Sequence, residues 1–208
     1  MDLDLLLKTL IAVAPVLVLL FVFDRLDVFN LITFRVIATL VLAGAALSVP
    51  TFLLSAGLLG GFPIGFSDYS KYVAPVIEES LKAAPIVWLF YYNRLGYKLD
   101  AGIAGFAVGA GFSVAENLLY LHTQLDANIT AWLVRGAGTA IMHGGATGLF
   151  AVISHELTER QAETAAAHYR FNPLLFAPGL GLAVLVHGTF NHFPDQPAVT
   201  MALTLLLI

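Results

Sequence analysis

The sequence has no cysteine and little charge. Without cysteine there are no disulfides, no thiolate metal ligands and no cysteine nucleophile. Only 12% of the 208 residues are charged, against about 25% in an ordinary soluble domain. The net charge is -4 and no basic run occurs, which argues against a nucleic-acid partner. No internal repeat or low-complexity tract is visible, and no glycine-rich stretch leads into the Gly-Lys-Ser/Thr of a phosphate loop. Met1 to Phe23 carries one Lys8 against Asp2 and Asp4, and no small-residue cleavage site precedes Asp24. It reads as a retained first span rather than a cleaved leader.

Apolar residues fill the gap left by charge. They make up 59% of the chain, and the mean hydropathy is +0.85. A soluble core of this size needs far less, so the excess faces lipid. The expected fold class is all-α, a polytopic transmembrane helical bundle of six to seven or more spans, in one domain over 1–208. Spanning takes about 20 apolar residues. Candidate spans are Leu3–Phe23, Leu31–Leu59 (tilted or kinked near Pro50), Tyr72–Tyr92, Leu99–Leu121, a stretch within Ile129–Ser154, and Pro173–His192. Ala198–Ile208 reads as a truncated or partly inserted seventh. Gly60–Lys71 reads as a loop, and His155–Asn172 as a short helix outside the bilayer. Arg25, Arg94, Lys98, Arg160 and Arg170 fall on one side, Lys8 and Lys71 on the other, with Arg135 near it. The positive-inside rule then puts the N-terminus outside.

Against this background a few residues are costly. An ionised side chain at a helix centre costs roughly 2.5–3.5 kcal/mol on insertion scales. Glu78, Glu79 and Lys82 lie in the third span, Glu116 in the fourth, His143 in the fifth and His187 in the sixth. Such groups face a bundle interior and mark a functional site. Glu78 and Glu79 lie roughly 10 Å in from the N-terminal side, and Glu116 and His187 roughly 8 Å, at about 1.5 Å per residue. His143 reads deeper, unless its span begins near Arg135. Glu78 and Lys82 are i,i+4 neighbours, as are His143 and Thr147, and His187 and Asn191. Taken alone, the first pair can also be read as a buried ion pair, and either histidine reads more readily as a hydrogen-bonded core residue than as a ligand. Glycines along the fourth and fifth spans allow close helix approach. His155-Glu156-Leu157-Thr158-Glu159 is similar to HExxH but has glutamate in the second histidine position. Asn128-Ile129-Thr130 is a glycosylation sequon too close to a span to persuade.

Two histidines and a carboxylate can hold a Zn2+ ion with one position left for water. The candidate ligands are Glu116, His143 and His187. The candidate general base is Glu78 or Glu79, its proton affinity adjusted by burial and by Lys82. Asn191 can donate a hydrogen bond to an oxyanion. The reaction would be hydrolysis of a peptide bond in a membrane-anchored protein substrate near the outer face. One rival is a proton-coupled transporter using the same Glu/His/Lys cluster, although no inverted repeat supports it. Another is a haem protein ligated by His143 and His187, which leaves the glutamates unexplained.

The motifs carry a resemblance. Glu78-Glu79-Ser80-Leu81-Lys82 is similar to the EExxK motif of the PrsW family of intramembrane proteases. Phe112-Ser113-Val114-Ala115-Glu116-Asn117 is similar to that family's FxxxEN. His143 and the His187…Asn191 pair resemble its two later histidine motifs, in order, each on a later helix. The wider superfamily includes CAAX-processing and bacteriocin-processing proteases, where the fourth-helix glutamate is typically a histidine. The resemblance covers about residues 72–192. It implies an endopeptidase embedded in a prokaryotic cell membrane, acting on single-span proteins such as anti-sigma factors. It carries catalytic roles to Glu78, Glu79, Glu116, His143 and His187, and admits a metal-free variant in which Glu78 activates water directly. A pseudoprotease scaffold is the non-enzymatic alternative.

Overall fold

In the computed structural model, residues 3–26, 32–123, 129–165 and 171–193 are described, with a few positions between 196 and 206. Helices run over α1 (Leu3–Leu26), α2 (Phe34–Gly61), α3 (Ala74–Tyr91), α4 (Lys98–Thr123), α5 (Ile129–Ala165) and α6 (Ala177–Phe190). No strand occurs among the described residues. A short helical turn, Phe66–Asp68, and a π-helical turn, Tyr69–Val73, lead into α3, and a 3-10 turn, Pro173–Phe176, leads into α6.

Four segments among the described residues are long and apolar enough to cross a membrane: Phe34–Gly61, Lys98–His122, Arg135–Thr164 and Pro173–Phe190. The expected count was six to seven. The α3 helix is 18 residues long but carries Glu78, Glu79 and Lys82, which makes it too polar to count among those four. In α1 the apolar run is the shorter Leu6–Val18. The expected seventh span, Ala198–Ile208, and the sequon's Asn128 lie largely or wholly outside the described residues.

Two boundaries differ from the sequence reading. The fifth helix does not stop near Ser154 with a separate polar helix after it. It continues unbroken to Ala165, 37 residues in all, because i,i+4 pairs such as Glu156–Arg160 stabilise the polar end as helix. The loop after α2 is also shorter than Gly60–Lys71, since α2 runs to Gly61, through Pro50, and helix resumes at Phe66.

The helices sort by burial. The span windows of α4 and α5 are each 67% buried, and those of α2 and α6 only 22%. Leu42, Val49, Phe52, Leu53 and Leu54 of α2 are exposed, as a lipid-facing surface requires. The α4–α5 pair forms the axis of the bundle, with α2 packed along α4, α6 along α5, and α1 against both central helices. The pair owes its closeness to missing side chains. A Cβ on Gly109 would overlap the His143 carbonyl, and one on Gly105 the Thr147 carbonyl. Such contacts are how helices bind in lipid, where no hydrophobic drive exists between them. They also bring the His143 turn directly against the Phe112–Glu116 turn.

Candidate active site

The π-helical turn and α3 place Glu78, Glu79 and Lys82 in the interior, all three buried. Lys82 is fully buried and is the hub. Its Nζ donates to Glu79 Oε1 at 2.7 Å and lies 2.6 Å from His143 Nδ1. It also lies 3.8 Å from Glu78 Oε2 and 4.2 Å from the Phe112 ring centroid. A buried ammonium is tolerated only with such partners. Glu79 is held in turn by His187, whose Nδ1 donates to Oε1 at 2.8 Å. The Thr147 hydroxyl stands 3.4 Å from its Oε2.

Four helices contribute. The His143 and His187 rings, from α5 and α6, meet edge to face with centroids 4.8 Å apart. A carboxylate flanks each. Glu78 Oε2 is 3.8 Å from His187 Nε2, and Glu116 Oε2 is 3.1 Å from His143 Nε2. The order across the site is therefore Glu78, His187, His143, Glu116. The sequence-predicted residues Glu78, Glu79, Lys82, Glu116, His143 and His187 are brought together. His143 is not deeper than the rest. Its apolar segment begins at Arg135, beside Glu116.

Asn191 is placed differently. Its Nδ2 donates to the Ser70 carbonyl at 2.8 Å, tying the end of α6 to the π-helical turn. His192 Nε2 lies beside it, 3.3 Å from the Tyr72 hydroxyl. The segment similar to HExxH stays apart from the cluster. His155 Nδ1 is 3.3 Å from Glu159 Oε2, and Glu156 pairs with Lys98 and Arg160.

The structure adds residues that the motifs did not nominate. Arg135 Nη2 is 3.5 Å from Glu116 Oε2. The Thr139 hydroxyl meets the Asn117 amide at 3.0 Å and the Ser113 hydroxyl at 3.1 Å. Arg135, Thr139 and His143 recur one helical turn apart on α5 and face Ser113, Glu116, Asn117 and Tyr120 of α4. That i,i+4 spacing was the available signal.

The residues suit a cation. Glu78, His143 and His187 offer ligand atoms that all lie within 4.8 Å of one another. Buried Glu78 Oε2 has no hydrogen-bond partner. With the imidazoles neutral, the three carboxylates leave one negative charge uncompensated by Lys82 and Arg135. His187 gives its Nδ1 proton to Glu79, which leaves Nε2 free, the carboxylate–histidine arrangement of metal ligands. The Glu116 edge is the least buried part of the cluster, the Glu116 and Arg135 side chains being 20% and 29% exposed. A separate hollow of about 600 Å³ lies on the α3–α6 flank between Ser80, Trp88, Phe171 and Leu180. It is apolar and holds none of the cluster's charged groups.

A family profile described as PrsW family intramembrane metalloprotease matches residues 33–208. No curated protein and no solved structure matches the chain.

Proposed function

This chain belongs to the PrsW family of intramembrane metalloproteases, and from that premise we propose a zinc-dependent endopeptidase that cuts membrane-anchored proteins near the outer membrane face. The observation that carries the reading is the free Glu78 oxygen beside a free imidazole nitrogen of His187. In this reading His143, His187 and Glu116 hold the ion and Glu78 is the general base. Arg135 balances the charge of Glu116, which suits a ligand that stays anionic. Glu78 Oε2 has no hydrogen bond and only the 3.8 Å contacts with Lys82 and His187, which suits a group that must accept a proton.

Bound zinc supplies Lewis acidity toward the scissile carbonyl and eases deprotonation of water. The protein's own groups do the rest. Glu78 takes a proton from water as the water oxygen bonds to the carbonyl carbon. It returns that proton to the nitrogen as the C–N bond breaks, releasing an acid and an amine. Glu79 cannot share this role while Lys82 and His187 occupy it, so it serves to orient the His187 ring. Lys82 keeps both glutamates and His143 in place. Asn191 spends one N–H on Ser70, and we assign the other to the developing oxyanion. Burial keeps bulk water out and strengthens each of these contacts.

A second assignment has an observation of its own. Glu78 lies within mutual reach of both histidines, so it can be the third ligand, with Glu116 the base. Purified protein in detergent, a single-span substrate and a zinc titration separate the two. In the first assignment Glu78→Gln keeps zinc and loses cleavage by about 100-fold or more, whereas in the second it loses zinc as well. Full cleavage by Glu78→Gln, Glu116→Gln and His187→Ala together would end the protease reading. Full activity of the wild type in a strong chelator would remove zinc and leave the metal-free variant, with Glu78 acting on water directly.

A further inference from the structure

We propose that Arg135 is a positioning residue of this active site, holding the Glu116 carboxylate in place and, through it, the His143 ring. The inference rests on the reading of His143 as a ligand side chain. Three observations carry it. Arg135 Nη2 approaches Glu116 Oε2 at 3.5 Å, the same oxygen that meets His143 Nε2 at 3.1 Å. The guanidinium is itself pinned, its carbon 3.7 Å from the Tyr120 ring centroid, and Tyr120 sits one turn beyond Glu116 on α4. Between Arg135 and His143, Thr139 locks the same two helices together through Asn117 and Ser113.

The geometry explains why an arginine stands there. A carboxylate contacting one imidazole can still rotate about its terminal torsions and swing toward water. A planar guanidinium stacked on an aromatic ring fixes its second contact direction as a mobile ammonium does not. Glu116 is then held from both sides. His143 gains a fixed orientation, with Nε2 toward Glu116 and Nδ1 toward Lys82. Arg135 is then the outer partner that orients a ligand carboxylate, and losing such a partner typically costs about 10–100-fold in metal affinity or activity.

The sign of the effect separates positioning from simple electrostatics. Removing a positive charge near a cation site, with nothing else changed, strengthens cation binding. Loss of positioning weakens it. The test is zinc affinity by competition with a chromophoric chelator, for detergent-purified wild type, Arg135→Gln, Arg135→Lys and Tyr120→Leu. Cleavage kinetics on a single-span substrate and the melting temperature accompany each. Arg135→Gln should bind zinc about 10-fold or more weakly and lose kcat in the same range, with KM little changed. Arg135→Lys should fall between it and wild type, and Tyr120→Leu should follow Arg135→Gln in direction. Zinc binding by Arg135→Gln that is unchanged or tighter would overturn the proposal. If Arg135→Gln does not fold, Arg135→Lys and Tyr120→Leu decide by the same criterion. If wild type binds no zinc yet cleaves, the ligand reading fails, and an unchanged kcat in the Arg135 variants would then overturn the positioning role separately.

Discussion

Two stretches of this chain are built from nearly the same side chains. The first is Glu78-Glu79-Ser80-Leu81-Lys82 in α3, and the second is His155-Glu156-Leu157-Thr158-Glu159-Arg160 near the end of α5. Both are helical and both pair acids with bases at i,i+3 or i,i+4. Their surroundings differ. In α3 the charges are buried, and they meet the Phe112 ring of α4, His143 of α5 and His187 of α6. Around the α5 stretch the Arg160 and Glu159 side chains are 70% and 48% exposed and Lys98 of α4 is 54% exposed, and Lys98 is the one ion-pair partner there from another helix among the described residues. Water screens the second set and leaves each contact weak, although Glu156 is shared by Lys98 and Arg160. In the first set each group is held by several others, so removing one disturbs all.

Four measurements would break or sharpen this contrast. His187→Ala should remove zinc and lower cleavage by about 100-fold or more, since it deletes a proposed ligand and frees Glu79 together; retained zinc would put the ion elsewhere. Lys82→Met should cost about 3–5 kcal/mol of stability by leaving a buried carboxylate unpaired, read as a large drop in melting temperature in detergent. A loss as small as a surface pair gives would mean that the α3 charges are solvated after all. Gly109→Val should cost about 1–3 kcal/mol by overpacking the α4–α5 contact, with activity falling alongside because His143 rides on the displaced backbone. Glu156→Gln should leave cleavage and melting temperature within error of wild type, and a clear effect on cleavage would erase the distinction between the two stretches.

The contrast also explains what was legible in the sequence. The helices were readable because apolar runs of spanning length have few alternatives. The cluster residues were readable because charge inside such runs is costly. Hydropathy alone rejects α3, the helix with most of the chemistry, so motif and hydropathy had to be read against each other. The extent of α5 was not readable, because polar composition after Ser154 resembles a loop while i,i+4 pairing sustains a helix. Arg135 was read only as a charge for orientation, since its contact with Glu116 exists only when α4 and α5 pack through their glycines. Asn191 followed from its spacing to His187, but its bond to Ser70 depends on the π-helical turn, which has no local signature in Tyr69–Val73.

That turn has a consequence for how the chain tolerates length changes. A π turn accommodates one residue more than an α turn and lets the flanking helix keep its angular register. Deleting a residue from a regular helix swings everything downstream by about 100°, which would point Glu79 and Lys82 into lipid. Here a single deletion within Tyr69–Val73 can instead be taken up by tightening the turn to ordinary α geometry. The acidic face of α3 would keep its direction, and the cost would fall on the carbonyl that Asn191 now holds.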